Sequence, residues 1–208
     1  MLRKRVGRMS EKKYSAGIMS QSFWFNEMKQ FLNMKREDID NNRIKEIIIC
    51  ENLFGAPNEY RAKRMYGYLS NRANNIEKPL LDIFFVSNLG TQKIINLISI
   101  IRKDRLFFEF LYEVYREKII FGAETLEISD VRTFFNNKES QDESLAAWKD
   151  STKRRVQSAY ISFMTDANLL RIEGKRGLVT PPILDLSLEQ YLYTNGESTF
   201  VRAITGEY

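Results

Sequence analysis

The sequence predicts a mainly α protein: a multi-helix globular bundle with helix–turn–helix-like elements and a small C-terminal β-hairpin, or wing. Three observations carry this. Only ten glycines and four prolines interrupt 208 residues. Apolar residues recur at three- and four-residue steps over most of the chain. Only after residue 168 does the pattern change, to two short extended runs around the basic tetrapeptide Gly174-Lys175-Arg176-Gly177. With 43% hydrophobic and 28% charged residues, the chain can bury a core without staples and does not have the composition of a disordered segment.

Helices are predicted near residues 15–32, 41–51, 58–74, 78–87, 91–102, 104–119, 129–137 and 145–168. The first follows Ser15 and turns Ile18, Met19, Phe23, Met28, Phe31 and Leu32 inward. The second ends in Ile47-Ile48-Ile49-Cys50, a run in which the lone cysteine reads as a buried small hydrophobe. Asn58 is the expected cap of the third. The longest apolar run, Ile94 to Ile101, is broken by Asn96 and Ser99 and closed by Lys93 and Arg102. It falls short of the roughly 20 apolar residues a membrane span requires, so it reads as a buried helix, and no membrane association is expected. Asp130 sits in the first turn of the seventh helix, where a carboxylate favours the positive end of the dipole. The last long helix carries the stripe Val156, Ala159, Tyr160, Phe163, Met164 and Ala167. Leu169 to Glu173 and Leu178 to Pro182 flank the tetrapeptide as a hairpin. Leu184 to Tyr208 is expected to begin as a helix near Ser187 and fray. A division near Gly122 gives a flexible basic arm at 1–13, an N-terminal lobe at 14–122 and a C-terminal lobe at 123–208.

Several chemistries are excluded by composition. There is no histidine, which removes Ser-His-Asp, Cys-His and HExxH sites together. A single cysteine rules out an intramolecular disulfide and fits a reducing compartment. No phosphate-binding glycine loop is present. Glu173-Gly174-Lys175 matches half of a metal-dependent nuclease site, but no partner carboxylate lies on a preceding strand. Glu109, Glu113 and Glu117 recur at one-turn spacing, which reads as a solvated stripe rather than a metal face. Phe107, Phe108, Phe110, Tyr112 and Tyr115 read as core. The sequence therefore predicts no enzyme and no cofactor.

Charge is unevenly placed. Residues 1–13 hold six basic groups and Glu11, which accounts for the whole formal charge of +5. Segment 151–176 has six basic and two acidic residues, and segment 107–150 has five basic and ten acidic. Such separation orients a molecule on a polyanion. Two segments are candidate reading heads. At 41–74, a helix–turn–helix pattern would present Lys63, Arg64, Gly67, Ser70 and Asn71 opposite the Ala62–Met65–Leu69 face. Cations for phosphates, small polar groups and little bulk suit a recognition helix, and a solvated amphipathic helix is the alternative. At 129–180, the order helix, helix, basic-tipped hairpin is that of a winged helix. Its second helix shows Ser151, Arg154, Arg155, Ser158, Ser162 and Thr165 opposite the apolar stripe, and the tip adds Lys175 and Arg176. An ordinary charged surface with a hairpin is the alternative there.

A family resemblance runs through the same residues. The series Tyr14-Ser15-Ala16, Glu51-Asn52-Leu53-Phe54, Arg61-Ala62-Lys63-Arg64 and Leu69 resembles the N-terminal half of the BrxA family. The later run Phe107 to Val114, with Asp130, Phe134, Trp148, Thr152-Lys153 and Leu169-Leu170, resembles its second half. The likeness spans about residues 14–184. It implies an all-α protein that binds double-stranded DNA in BREX-type bacteriophage defence, beside a methyltransferase, an ATPase and other defence proteins, in the cytoplasm. It transfers no catalytic residue. On the helical-wheel reading, the expected phosphate contacts are Lys63, Arg64, Arg154, Arg155, Lys175 and Arg176, and the expected groove contacts are Ser70, Asn71, Ser158 and Ser162. A protein–protein adaptor within the defence complex is the alternative function.

Overall fold

In the computed structural model, residues 12–174 and 176–207 are described. Lys175 and residues 1–11, most of the expected arm, lie outside that set. After a 3-10 turn at Gly17–Ser20, the helices are α1 (Phe25–Arg36), α2 (Asn41–Ile49), α3 (Glu59–Ala73), α4 (Lys78–Val86) and α5 (Leu89–Ile101). Then come α6 (Arg105–Phe110), a π-helical turn at Leu111–Tyr115 and α7 (Arg116–Ile120). The C-terminal part runs β1 (Thr125–Leu126), α8 (Ile128–Glu139), α9 (Glu143–Ala146), α10 (Asp150–Asp166), β2 (Leu170–Glu173), β3 (Arg176–Val179), α11 (Leu186–Thr194) and α12 (Ser198–Thr205).

Side-chain caps set most helix starts. Asp40, Asn58, Asn88, Asp104, Asp142 and Asp185 each accept a backbone N–H in the first turn of the helix that follows. Glu127 and Asp130 form a reciprocal capping box on α8. The turn before α3 is closed by Asn52, whose side chain donates to the Ala56 carbonyl at 2.9 Å and accepts from the Ala56 N–H at 2.7 Å. Asn52 and Gly55 both adopt positive φ there, and Gly55 does so at the lower conformational cost.

One continuous apolar cluster runs from Ile18 to Ile204. It includes nearly the whole of α5, where Ile94, Ile95, Leu97, Ile98, Ile100 and Ile101 are all buried. Phe107 of α6 stacks on Tyr160 of α10 with ring centroids 4.4 Å apart, and Phe163 meets Phe23 edge-on at 6.0 Å. These contacts fix the inner face of α10, and therefore its outer face. The strands form one antiparallel sheet in the order β1-β3-β2, with Leu170 opposite Val179, Glu173 opposite Arg176, and Leu126 opposite Gly177. Between β1 and the β2–β3 hairpin the chain runs through three helices, α8, the short α9 and α10. Among the described residues no helix is long and apolar enough to cross a membrane.

Four expectations are corrected. The helix expected at 15–32 is interrupted at residues 21–24, where Trp24 is left-handed. The cause is tertiary. Buried Arg72 of α3 donates to the Phe23 and Ser22 carbonyls, both at 2.9 Å, and to Gln21 Oε1 at 2.8 Å. Asn96 of α5 also donates to the Phe23 carbonyl, at 2.9 Å. These carbonyls accept from side chains instead of from the next helical turn. The helix expected at 145–168 divides into α9 and α10, because Asp142 caps a short helix at Leu145 N and Lys149 is extended. The C-terminal segment does not fray. Leu188, Leu192, Phe200, Val201, Ala203 and Ile204 are buried, and Arg102 of α5 pairs with Glu197 at 2.5 Å inside the protein. Cys50 is exposed, because it follows the last turn of α2, in which Ile48 and Ile49 take the buried positions.

Two outcomes follow. Cys50 is expected to react with Ellman's reagent in the native protein at neutral pH; protection until denaturation would contradict its placement. Arg72→Ala is expected to destabilise folding by about 3 kcal/mol, since it strips several charge-assisted hydrogen bonds from buried acceptors. A denaturant titration within 1 kcal/mol of wild type would show that segment 21–24 does not depend on this residue.

Candidate nucleic-acid interface

α10 is amphipathic because its packing partners are. Val156, Tyr160, Phe163 and Met164 are buried, which leaves Arg154, Arg155, Ser158 and Ser162 exposed on the other side. Neither arginine has a carboxylate partner among the described residues. Ser158 Oγ donates to the Arg154 carbonyl at 2.9 Å, and Thr165 Oγ1 to the Ile161 carbonyl at 2.8 Å. Each hydroxyl thereby directs its hydrogen into the helix and leaves the oxygen facing outward as an acceptor.

An open groove of about 960 Å³ lies beside this face, between α8, α10 and β2. Arg132 and Asn136 line it from α8, Arg154, Ser158 and Ser162 from α10, and Ile172 and Gly174 from the wing. Its lining is not purely cationic. Asp150 and Asp166 stand at the two ends of α10, and Lys153 is paired with Glu139 at 2.8 Å. Burial pushes the Asp166 carboxyl above its ordinary pKa, against the influence of Lys93. Ile128 and Ile172, 55% and 47% exposed, add apolar surface at the rim. A second hollow of about 370 Å³ lies where Met19, Gln21 and Ser22 meet Arg154, Arg155 and Ser162. Gln21 and Ser22 have no signature in the sequence, since they border α10 only because Arg72 holds the chain extended there. Arg132 and Asn136 were legible as an i, i+4 pair, but nothing in the sequence aimed them at α10.

The remaining expected contact residues are less free. Arg176 is exposed on β3 and approaches Glu127 at 3.5 Å; Lys175 is outside the described residues. On α3, Lys63 pairs with Glu59 at 2.5 Å on the surface, an interaction of little energetic weight. The Arg64 guanidinium lies 5.8 Å from the Tyr60 ring centroid. Asn71 is exposed and Ser70 half-buried. Segment 21–24 borders both heads, with Gln21 and Ser22 beside α10 and Trp24 against Arg61 and Tyr68 of α3.

Each carboxylate of the row Glu109, Glu113 and Glu117 is paired; Glu109 is mostly buried, while Glu113 and Glu117 remain partly solvated. Lys138 of α8 reaches Glu109 at 2.7 Å and Glu113 at 2.6 Å. Arg105 and Tyr14 also bond Glu109, and Arg116 pairs with Glu117. Burial pushes the Glu109 carboxyl up, but hydrogen bonds from Lys138, Tyr14 and Arg105 outweigh it and hold the pKa below its ordinary value. Among the described residues no group of three acidic or thiol side chains is arranged to hold a metal ion.

Comparison with known proteins gives three findings. A family model described as BrxA matches residues 12–196. The BREX protein BrxA of Bacillus cereus (strain H3081.97) is 29% identical over 199 residues, covering 96% of this chain and all of that one. The crystal structure of an uncharacterized protein from Magnetospirillum magneticum aligns with a TM-score of 0.78 over 94% of this chain and 100% of that chain, at 17% identity. At that identity it speaks for the fold alone.

The exposure of Arg154 and Arg155 has a measurable consequence. Replacing both with alanine is expected to change folding stability by no more than about 0.5 kcal/mol. A larger loss in a denaturant titration would mean that these side chains hold structure.

Proposed function

This chain belongs to the BrxA family, and from that premise we propose that it is a non-catalytic, double-stranded DNA-binding component of a BREX-type phage-defence system, acting in the cytoplasm. The observation that carries the proposal is the exposed Arg154–Arg155 pair, without a carboxylate partner among the described residues, on the helix that leads into the β2–β3 hairpin, as a recognition helix leads into a wing. Sequence-tolerant binding fits this face best. Arg154, Arg155 and Arg176 contact phosphates, and Lys175, outside the described residues, joins them by its place in the sequence. Ser158 and Ser162, both exposed, offer small acceptors to the groove. The α3 residues Lys63, Arg64, Ser70 and Asn71 form a second contact. Phosphate contacts position the protein and carry no sequence information, so little base preference is expected. The other defence proteins, a methyltransferase and an ATPase among them, are the partners this reading implies.

Asp150 and Asp166 at the ends of α10 support limiting the contact to the middle of the helix, because a phosphate near either end would meet a carboxylate. The mixed charge of the groove is also the specific observation that favours the alternative, an adaptor that docks a protein segment against α8 and α10.

Salt dependence separates the two. Duplex affinity is expected to fall steeply with salt, by about 0.9 log unit per log unit of salt for each phosphate neutralised. Arg154→Ala with Arg155→Ala is expected to reduce that slope by about two units. If the double variant matches wild type across a salt titration, α10 is not the duplex-binding element and the adaptor reading takes its place.

A further inference from the structure

The outer face of α3 differs in kind from that of α10. It combines cations with one exposed ring, Tyr60, and the half-buried rings of Trp24 and Tyr68. Tyr60 is 70% exposed, with the Arg64 guanidinium 5.8 Å from its ring centroid. One turn away, the Arg61 guanidinium lies 5.3 Å from the centroid of Trp24, and Trp24 lies 6.1 Å from Tyr68, with the rings tilted by 32°. Neither Arg61 nor Arg64 has a carboxylate partner among the described residues. Their charge is held over rings, where it can still meet a phosphate. Trp24 owes this position to the left-handed break that Arg72 imposes.

Gly67 supplies an independent observation. It sits in the middle of α3, where glycine weakens a helix relative to alanine. On the helical wheel it falls on the same face as Tyr60, Arg64 and Asn71. A Cβ built there meets nothing within 4 Å, so no contact within the chain requires the missing side chain. The result is an unobstructed strip of helix surface flanked by rings and cations.

We propose that this α3 face binds unpaired nucleotides of single-stranded DNA. Tyr60 stacks on a base, and Trp24 extends the same stacking surface. Arg61 and Arg64 contact the flanking phosphates, and Gly67 leaves room for the strand to lie close to the helix. Aromatic stacking selects single strands because a duplex hides its base faces, and it tolerates any sequence because every base has one. This site is separate from the α10 duplex contact and shares only Arg64 with the proposed second contact on α3; Tyr60 and Gly67, the positions tested, belong to neither duplex contact, so the two readings fail separately.

The test uses full-length protein and two fluorescent probes, oligo(dT) and a blunt duplex, read by anisotropy. Wild type is expected to bind both. Tyr60→Ala is expected to weaken oligo(dT) binding by about tenfold while leaving duplex binding within twofold. Gly67→Gln is expected to weaken oligo(dT) binding while raising thermal stability, because glutamine is the better helix former. A loss of binding therefore cannot be blamed on unfolding. The Arg154→Ala, Arg155→Ala protein is expected to show the reverse selectivity. Oligo(dT) binding that survives both α3 changes overturns the proposal, and so does an equal loss on the two probes. A change in oligomeric mass with unchanged oligo(dT) binding also overturns it, and identifies the face as a contact between copies of this chain.

Discussion

The arrangement of the molecule depends on one buried guanidinium. Arg72 lies inside the protein with no acidic partner in contact, and burial pulls its pKa down from the usual arginine value to about 9. Its donors are spent on the carbonyls of Ser22 and Phe23 and on Gln21. A charge in such a place is tolerable only when its donors are met, and Nε alone lacks a partner. Satisfying it requires the chain at 21–24 to leave the helix. Phe23 then packs against Phe163 of α10, and Trp24 turns toward α3. Both exposed faces considered above are bordered by this one segment.

A second constraint is electrostatic. The acidic excess of segment 107–150 is drawn into pairs as the chain folds. Lys138 neutralises Glu109 and Glu113, Lys118 pairs with Asp130, and Lys153 with Glu139. Those pairs consume Lys153 of α10 but leave Arg154 and Arg155, the next two residues, without acidic partners among the described residues. Position on the helix decides the difference: Lys153 points toward α8, and the arginines point away from the core. Net charge by segment therefore did not show which cations are consumed, since Lys153 is paired across segments and its two neighbours are not.

How much of this was legible in the sequence varies by kind. Apolar periodicity located most helices within a few residues, and Asn58 and Asp130 marked helix starts through local hydrogen bonds that need no distant partner. The hairpin was visible as two extended runs around paired glycines. The outer face of α10 was visible too, because a helix with a continuous apolar stripe has only one other side to show. Family membership was legible in the ordered series of residues from Tyr14 to Leu170.

Other features were not legible, for a shared reason. The break at 21–24 runs against a good helical pattern and exists because a side chain fifty residues later takes its carbonyls. β1 is two residues long and is a strand only because β3 lies beside it. The tail from Leu186 looked like a fraying end until Arg102 supplied a buried partner for Glu197. Cys50 sits in an apolar run, yet the last turn of α2 ends just before it and leaves it outside. The sequence by itself determined most helices, the caps at Asn58 and Asp130, the hairpin and the outer face of α10, because those follow from hydrogen bonds and periodicities within a few residues. The tertiary structure decided where a helix had to stop, which charges were neutralised, and which side chains from α8, α10 and segment 21–24 came to share one surface. Those outcomes depend on pairing buried groups with partners that are distant in the chain.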